Sequence, residues 1–367
     1  MTELFGGIYR GRKVLVTGHT GFKGSWLALW LRELGAEVYG FALPAGEPSH
    51  LGLLQLSCRS ELGDIRDLDH VKRFVNEAQP EIVFHLAAQP IVRRSYLEPI
   101  ETYATNVLGS LHVYEACRNA GSVRAIVSIT TDKVYENDDQ RTAFREDDPL
   151  GGYDPYSASK ACADIATTSY RRSYWPPSEH GRSHHTLLCS VRAGNVIGGG
   201  DWAEDRLVPD LVRAAVAGRE AIIRNPQSVR PWQHVLEPLS GYLMLGQALW
   251  NGQRELARAF NFGPDLDGLL NVEQVVKALA EVWPHVRHRV ERPVDAPHEA
   301  TALMLDCTLA HEQLGWQPIW DGDRSFVQTA LWYRELHEHG EVLSRAQLAA
   351  YVAEAHACRL PWTGASA

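Results

Sequence analysis

Short apolar runs alternate with longer amphipathic segments over the first half of the chain. The apolar runs lie at 13–18, 37–43, 81–88, 124–130 and 186–198. Between them, apolar residues recur with helical spacing at 25–35, at about 100–119 and at about 155–174. Strands that alternate with helices predict parallel strands joined by right-handed crossovers. We therefore expect an α/β fold with a Rossmann-type, doubly wound parallel sheet.

After residue 198 this alternation stops. Glycine, proline and tryptophan crowd the stretches GGGDW, RNPQSVRPWQHV and GWQPIW. Such a composition predicts a smaller, mixed α/β C-terminal lobe. We divide the chain into a first domain at 1–190 and a second lobe at 191–367, some segments of which return to the first domain. The length of 367 residues agrees with two units, because one core rarely grows to that size.

Composition and charge narrow the class of protein. The net charge of −9 argues against a nucleic-acid binder. No apolar run reaches 18 residues, so we expect no membrane span, and MTELFGGIYRGRK at the N-terminus lacks the apolar core of a signal peptide. The cysteines form no CxxC pair, which favours free thiols and a cytoplasmic location. They are Cys58, Cys117, Cys162, Cys189, Cys307 and Cys358.

Three histidines lie close together in SYWPPSEHGRSHHT, at His180, His184 and His185. No carboxylate or cysteine follows them at the spacing of a metal site. We interpret this stretch as a solvated loop, and we expect no metal.

Glycines at 18, 21 and 24 follow the first predicted strand and open the first helix, in VTGHTGFKGSW. At a strand–helix junction, such a loop turns backbone N–H groups and the helix N-terminus towards a pyrophosphate. The pattern predicts a bound dinucleotide. His19 and Lys23 within the loop either add positive charge towards the phosphates or are solvated.

The second strand ends in GFALP, without Asp, Glu, Arg or Lys at the usual ribose-binding place. The choice between NAD and NADP is therefore not readable at this position. Asp64, in GDIRD, is either a contact on the adenine side or simply a loop or helix-cap residue.

YSASK places Tyr156 and Lys160 one helical turn apart, behind Pro155 at the start of the predicted helix. A free phenol has a pKa of about 10, so a tyrosine base near neutral pH needs a strong positive field. The ammonium group of Lys160 and a nicotinamide cation would supply it. The sequence between the glycine loop and YSASK contains a predicted strand that ends at residue 130. It is followed by Thr131, Asp132 and Lys133. These three residues are either a polar strand exit or a catalytic cluster.

These motifs, together with HLAAQ at 85–89, resemble the extended short-chain dehydrogenase/reductase superfamily. Within it, the chain resembles the NAD-dependent nucleotide-sugar 4,6-dehydratases in GHTGFKGSW, TTDKVYEN, RAGNVIGGGDWAEDRL, RNPQSVRPWQHVLEPLSGYL and PHEATALMLD. These stretches extend from about residue 13 to 335, and GGGDW and RPWQHV are the specific ones. They favour CDP-glucose as the nucleotide-sugar substrate.

The resemblance implies a reaction in which NAD is consumed and then regenerated. Tyr156 would take the proton of the sugar 4-hydroxyl, with Thr131 hydrogen-bonded to it and Lys160 beside it. Asp132 would protonate the departing 6-hydroxyl. Lys133, which stands where many related dehydratases have Glu, would remove the proton from carbon 5, with Glu136 as the alternative base.

The resemblance also implies two sets of binding residues. For the dinucleotide they are Gly18, His19, Thr20, Gly21, Phe22, Lys23, Gly24, Asp64, Ile65, Leu86, Ala87, Ala88, Asn106, Tyr156 and Lys160. For the substrate they are Gln89, Arg94, Asn195, Asp201, Trp202, Arg206, Leu207, Arg224, Arg230, Trp232 and His298. Arg206 and Arg230 are the preferred diphosphate ligands, because a guanidinium binds two oxygens at once. Trp202 and Trp232 either shape the base pocket or pack between the lobes.

Two other interpretations stay open. A sugar 4-epimerase of the same superfamily would need Tyr156 and Lys160 but not Asp132 and Lys133. A non-catalytic NAD(P)-binding scaffold is the other, although such proteins often lose the tyrosine or the lysine. Relatives commonly form homodimers through two helices of the first domain, here about 100–119 and 155–174.

Overall fold

The computed structural model describes residues 1–137, 143–223, 225–264, 270–291 and 303–364. Its strands, in chain order, are β1 (Lys13–Thr17), β2 (Glu37–Ala42), β3 (Arg59–Leu62), β4 (Ile82–His85), β5 (Ala125–Ile129), β6 (Leu187–Ala193), β7 (Val196–Ile197), β8 (Ala221–Ile223), β9 (Val229–Arg230), β10 (Gln233–His234), β11 (Ala259–Phe262), β12 (Leu270–Asn271) and β13 (His288–Val290). Its α-helices are α1 (Phe22–Glu33), α2 (His50–Leu54), α3 (Leu68–Ala78), α4 (Val92–Leu97), α5 (Pro99–Tyr103), α6 (Gly109–Ala120), α7 (Pro155–Ser173), α8 (Leu207–Val216), α9 (Leu236–Trp250), α10 (Val272–Val282), α11 (Gly322–His339) and α12 (Ser344–Ala357).

Seven strands form one sheet in the order β11–β6–β5–β4–β1–β2–β3. Every neighbouring pair in this sheet is parallel. The strand order reverses its direction next to β1, so the crossover connections lie on both faces. The predicted Rossmann-type parallel sheet is confirmed.

The two faces of the sheet bury different side chains, as the alternation along each strand requires. Leu15 packs in a cluster with Val71 and Tyr114, from α3 and α6. Its neighbours Val14 and Val16 point to the opposite face, into the larger core. Helices α1 and α9 cover that face, so the sheet is buried between two helical layers.

Most predicted elements occur within one or two residues of their expected bounds. Three elements differ by more: α1 begins at Phe22 rather than at residue 25, β4 ends at His85 rather than at residue 88, and β6 ends at Ala193 rather than at residue 198. The helix predicted at about 100–119 consists of α5 and α6, joined by one wider turn over Ala104–Leu108. Strand β3 was not predicted, because its sequence RSEL is fully exposed at the sheet edge and shows no apolar pattern.

Several segments of the second half of the chain pack on the sheet. Strand β11 pairs with β6, and α9 packs against β5 and β6. Helix α12 contacts α1. Strand β6 runs across the predicted boundary at residue 190. These returning segments leave a smaller lobe built from α8, α10 and the short strands β7–β10, β12 and β13, and the division into two domains stays a prediction.

None of the helices in the described ranges combines the length and apolarity that crossing a membrane requires.

Candidate functional site

A cleft of about 1230 Å³ lies at the carboxyl ends of the central strands. It begins at the glycine loop after β1 and passes the ends of β2, β4, β5 and β6 before reaching the second lobe. Ligands of doubly wound sheets bind at this edge. The volume exceeds that of most single small-molecule sites, so the cleft has room for two ligands side by side.

The glycine loop is packed so tightly that side chains would not fit. Gly18 has a φ of +75°, and a Cβ there would lie 2.8 Å from the backbone nitrogen of Ala87. A Cβ on Gly24 would lie 2.1 Å from the carbonyl oxygen of Gly18. Because of this close packing, the backbone at Gly21 and the first turn of α1 line the cleft directly. This is the shape that a pyrophosphate on a helix N-terminus requires.

His19 does not take the predicted place in this loop. Its ring is fully buried behind the loop, where Nε2 lies 2.7 Å from the hydroxyl of Ser60. Burial lowers the pKa of His19 to about 4, so the ring is neutral near pH 7. The expectation that His19 adds positive charge towards phosphates is wrong.

Lys23 does face the cleft. Burial of its ammonium group, helped by the neighbouring Arg206, lowers its pKa to about 8, against the attraction of Asp132 and Asp201. Lys23 therefore lies beside the polar end of the cleft as well as in the phosphate loop.

The residues after β5 form the polar cluster that the sequence predicted. The hydroxyl of Thr131 donates to Asp132 Oδ1 at 2.9 Å and accepts from the backbone nitrogen of Lys133 at 3.4 Å. Asp132 Oδ2 is buried and has no hydrogen-bond partner among the described residues. Burial raises the pKa of Asp132, and the Lys133 ammonium opposes that rise. A carboxyl group with a raised pKa is suited to donate a proton.

Helix α7 brings Tyr156 and Lys160 to the same cleft. Asp154 caps the helix by accepting from the backbone nitrogen of Ser157 at 2.9 Å, and Pro155 is its first residue. Lys160 Nζ donates to the carbonyl oxygen of Ile129, the last residue of β5, at 2.8 Å. The helix cap and this bond fix the pair beside the polar cluster.

The pKa of the Tyr156 phenol differs from the sequence-based expectation. Burial raises the pKa of Tyr156 to about 12, although the Thr131 hydroxyl lowers it in part. Burial, helped by Lys23, lowers the pKa of Lys160 to about 7. The protein groups alone therefore do not acidify the phenol, because desolvation outweighs the nearby charges. A cationic nicotinamide beside Tyr156 would be needed for that.

Most of the predicted binding residues line this cleft. Besides Gly18, Gly21, Gly24 and the residues above, they are Thr20, Phe22, Asp64, Ile65, Leu86, Ala87, Ala88, Gln89, Arg94, Asn195, Asp201, Arg206, Leu207, Arg230 and Trp232, with the alternative base Glu136. Arg224, His298 and its neighbour Glu299 lie outside the described residues.

Two predicted ligands lie beside the cleft instead of lining it. The Asn106 side chain is buried, where it accepts from Gln89 N at 2.8 Å and donates to the hydroxyl of Ser159. It therefore supports the cleft wall and does not offer its amide to a dinucleotide. Trp202 packs against the rings of Trp332 and Tyr333, at centroid distances of 5.8 and 6.3 Å, which agrees with the packing interpretation.

Several charged residues of the cleft are already paired. Asp64 accepts hydrogen bonds from both Nε and Nη2 of the Arg66 guanidinium, which holds the pKa of that carboxyl low. Arg206 donates to Asp201 at 2.8 Å. Asp64 lies in the loop between β3 and α3 and does not cap a helix, because Asp67 is the N-cap of α3; its contact with the adenine stays a prediction. Arg206 can meet a diphosphate while Asp201 fixes its orientation.

The sequence did not single out a pair that crosses the cleft. Arg93, at the start of α4, lies 2.9 Å from Asp205 of the second lobe, and both residues line the cleft. Arg93 stands next to the predicted Arg94, but nothing in the sequence indicates which of the two arginines turns towards the second lobe.

Comparisons with known proteins extend over nearly the whole chain. Residues 15–326 match the sequence profile of the family described as GDP-mannose 4,6 dehydratase. CDP-glucose 4,6-dehydratase of Salmonella typhimurium is 46% identical over 329 residues, which cover 89% of this chain and 91% of that protein. UDP-glucose 4-epimerase of Mycolicibacterium smegmatis is 30% identical over 316 residues, covering 83% and 93% of the two chains. The crystal structure of DesIV, the dTDP-glucose 4,6-dehydratase of Streptomyces venezuelae with NAD and TYD bound, is 25% identical, with a TM-score of 0.73 and coverage of 88% and 97%.

Proposed function

The chain belongs to the GDP-mannose 4,6 dehydratase family, and on that premise we propose that it is a nucleotide-sugar 4,6-dehydratase that acts on CDP-glucose. The observation that carries the proposal is the meeting of Tyr156, Lys160, Asp132 and Lys133 in one cleft, next to a glycine loop. The 46% identity to a CDP-glucose 4,6-dehydratase supports the dehydratase reaction and the cytidine nucleotide.

NAD is the cofactor, as the NAD-bound dehydratase of the same fold supports. The cradle at Gly18 and Gly24 fits its pyrophosphate, and Asp64 and Ile65 line the far end of the cleft, where the adenine would lie. When bound, NAD supplies reversible acceptance of a hydride at the nicotinamide ring. The residues described next hold the sugar and move protons around it.

The first proton transfer takes place at carbon 4 of the sugar. Tyr156 accepts the proton of the 4-hydroxyl while Thr131 hydrogen-bonds the same oxygen. Lys160, held by the Ile129 carbonyl, lies one helical turn away and stabilises the phenolate. The product of this half-reaction is a 4-keto sugar, whose proton at carbon 5 has become acidic.

The second half-reaction removes water across carbons 5 and 6. Lys133, acting as the free amine, takes the carbon 5 proton, with Glu136, which also lines the cleft, as the alternative base. Asp132 gives its proton to the departing 6-hydroxyl, which leaves as water. The buried and unpartnered Oδ2 of Asp132, together with the raised pKa of that carboxyl, supports this role. Bound NAD, held in the glycine loop, would supply the hydride that carbon 6 requires, and the base would return its proton to carbon 5.

The second lobe binds the nucleotide in this proposal. Arg206 and Arg230 approach the diphosphate, and Asn195, Leu207 and Trp232 line the same part of the cleft. Gln89 and Arg94 approach the sugar from the first domain. Arg224 and His298 are proposed as further substrate contacts from the sequence alone. In this division, residues 1–190 chiefly bind the dinucleotide and residues 191–367 chiefly bind the nucleotide sugar.

A homodimer is the proposed assembly, with no nucleic-acid or membrane partner, in the cytoplasm. The segment from α4 to α6, together with α7, carries apolar side chains that face outward. Leu97 and Ile100 are 83% and 82% exposed, and Leu108 and Ile165 are each more than half exposed. Such a patch on one monomer marks an interaction surface.

Sedimentation velocity tests the dimer. Leu97→Lys combined with Ile100→Lys should convert a dimer to a monomer, whereas the control Val290→Lys, on an exposed strand of the second lobe, should not. A monomeric wild-type protein at assay concentrations would contradict this assembly.

A substrate panel tests the proposed reaction. The protein is incubated with NAD and with CDP-, dTDP-, GDP- or UDP-glucose, and the product is measured by the ultraviolet absorbance that 4-keto-6-deoxy sugars develop in alkali. We expect this absorbance with CDP-glucose above the other three. A product epimerized at carbon 4 that lacks this absorbance would instead indicate a sugar 4-epimerase. No product with any of the four substrates would indicate a non-catalytic NAD(P)-binding scaffold.

A further inference from the structure

A buried ion pair lies behind the catalytic cleft, between α7 and β6. Arg192 Nε lies 2.9 Å from Asp164 Oδ2, and Arg192 Nη2 lies 3.1 Å from Asp164 Oδ1. Their side chains are 4% and 0% exposed, and neither residue borders the described part of the cleft. A buried pair is costly to desolvate and is weak as a source of stability, so its position calls for another reason.

The Asp164 carboxylate contacts the residue that precedes the polar cluster Thr131–Lys133. The hydroxyl of Thr130, the residue directly before Thr131, lies 3.1 Å from Asp164 Oδ2 and 3.0 Å from the carbonyl oxygen of Val191 on β6, and it shares its proton between them. Asp164 is also one helical turn after Lys160 on α7. One carboxylate therefore connects the helix that carries Tyr156 and Lys160 to the entrance of the catalytic segment.

The guanidinium of the pair holds the other end of the same segment. Arg192 Nη1 donates to the phenolic oxygen of Tyr135 at 2.8 Å, directly after the turn over Asp132–Val134. The Tyr135 hydroxyl in turn donates to Asn261 Oδ1 at 2.7 Å, on β11. Both ends of the stretch that carries Thr131, Asp132 and Lys133 are thus bonded to one ion pair.

The hydrogen-bond network also extends to residues 303–306, which lead to the cleft. The Asn261 amide donates to the carbonyl oxygens of Phe144 and Asp306, and Phe144 N donates to Met304 O. Leu303, next in the chain, lines the cleft. The ion pair is therefore connected, through Tyr135, Asn261, Phe144 and Met304, to a residue that lines the cleft.

We propose that Asp164 and Arg192 are positioning residues that fix the distance between the oxidising pair, Tyr156 and Lys160, and the eliminating pair, Asp132 and Lys133. This inference rests on the proposed dehydratase function. A dehydratase must use both pairs on one bound sugar without releasing it, so their relative placement limits the rate. An error of about 1 Å in such a placement costs up to about a hundredfold in rate.

Two substitutions remove the hydrogen bonds between the ion pair and the catalytic segment and leave both residues of the ion pair unchanged. Thr130→Val removes the hydroxyl at the first end, and Tyr135→Phe removes the one at the second. Asp164→Asn is a poorer test, because it leaves a buried guanidinium without its carboxylate and threatens the fold. Matched controls are Thr186→Val and Tyr9→Phe, which each remove one buried hydroxyl that donates to a backbone carbonyl, at Val123 and Leu243.

We expect each test variant to lower kcat about tenfold, with the KM for CDP-glucose changed less than about twofold. Amide hydrogen exchange should quicken both at 130–135 and in the first turns of α7. The controls should change neither quantity. Unchanged kcat in both test variants, or an equal loss in the controls, would overturn the positioning role.

The exchange measurement separates this inference from the proposed function. If the wild-type protein turns over none of the four nucleotide sugars, the dehydratase proposal fails and exchange alone decides the positioning role. Faster exchange at 130–135 and in α7 would then still support it, and unchanged exchange in both variants would overturn it.

Discussion

Lys160 Nζ donates a hydrogen bond to the carbonyl oxygen of Ile129 at 2.8 Å, which joins the middle of the catalytic helix to the end of the central strand before the polar cluster. The ammonium group is buried, and burial lowers its pKa to about 7. An unfolded chain keeps the same lysine charged up to a pKa of about 10.5. Between these values the unfolded state binds the extra proton.

Lys160 therefore makes the free energy of unfolding depend on pH. Because the folded-state pKa is the lower one, the destabilisation by this lysine is fully present below about pH 7 and disappears as the pH rises towards about 10.5. Relative to Lys160→Met, the wild-type protein should gain stability between pH 7 and 10, by up to roughly 4 kcal/mol. Urea unfolding of both proteins at several pH values measures this difference, and a gap that stays constant with pH would contradict the lowered pKa.

Tyr156→Phe should lower kcat strongly and leave substrate affinity mostly intact. The phenylalanine keeps the ring in its buried place but cannot accept the proton of the 4-hydroxyl, which general-base catalysis makes worth about a hundredfold or more. Steady-state kinetics with CDP-glucose gives both constants. Tyr242→Phe is the control, since that tyrosine is buried in α9, away from the cleft. Parallel losses in kcat and in affinity would mean that Tyr156 chiefly binds the sugar.

Asp132→Asn should slow the elimination of water more than the oxidation at carbon 4. The amide preserves the shape of the buried side chain but has no acidic proton for the departing 6-hydroxyl. We expect the absorbance of reduced nicotinamide to build up after CDP-glucose is added, because oxidation continues while its reversal at carbon 6 waits for the elimination. If turnover falls without that absorbance, Asp132 acts before the oxidation and not as the acid.

The central sheet could be predicted from sequence because its strands are buried on both faces. Most of their side chains are apolar, as in AIVSI of β5, where Ser128 is the one polar residue. Strand β3 carries no such signal, since RSEL lies exposed at the sheet edge, where it pairs with β2. The place of β11 beside β6 was equally hidden, because the pairing joins segments about 70 residues apart in the chain.

The positions of side chains in the candidate site were predictable where the spacing along one helix determines which way the side chains point. Tyr156 and Lys160 share a helix face because they are four residues apart, and they do line the same cleft. His19 lies in the glycine loop and Lys23 in the first turn of α1, yet the ring of His19 turns into the protein and the side chain of Lys23 turns into the cleft. The loop conformation separates them, and no periodic pattern encodes it. The pair of Asp164 and Arg192 is likewise invisible in the sequence, since two charged residues 28 positions apart give no sign of meeting.

Gly24→Ala should disrupt the dinucleotide cradle. The new methyl group would lie 2.1 Å from the carbonyl oxygen of Gly18 and 2.8 Å from the Cα of His19, and both contacts are backbone atoms that cannot swing aside. The start of α1 must then move away from the loop, which should weaken NAD binding at least about tenfold and cost about 1–3 kcal/mol of stability. Calorimetric titration with NAD and thermal unfolding measure the two effects. Gly46→Ala is the matched control, because a Cβ there meets nothing within 4 Å. An alanine at position 24 that leaves NAD affinity unchanged would mean that the dinucleotide does not depend on the tight packing of this loop.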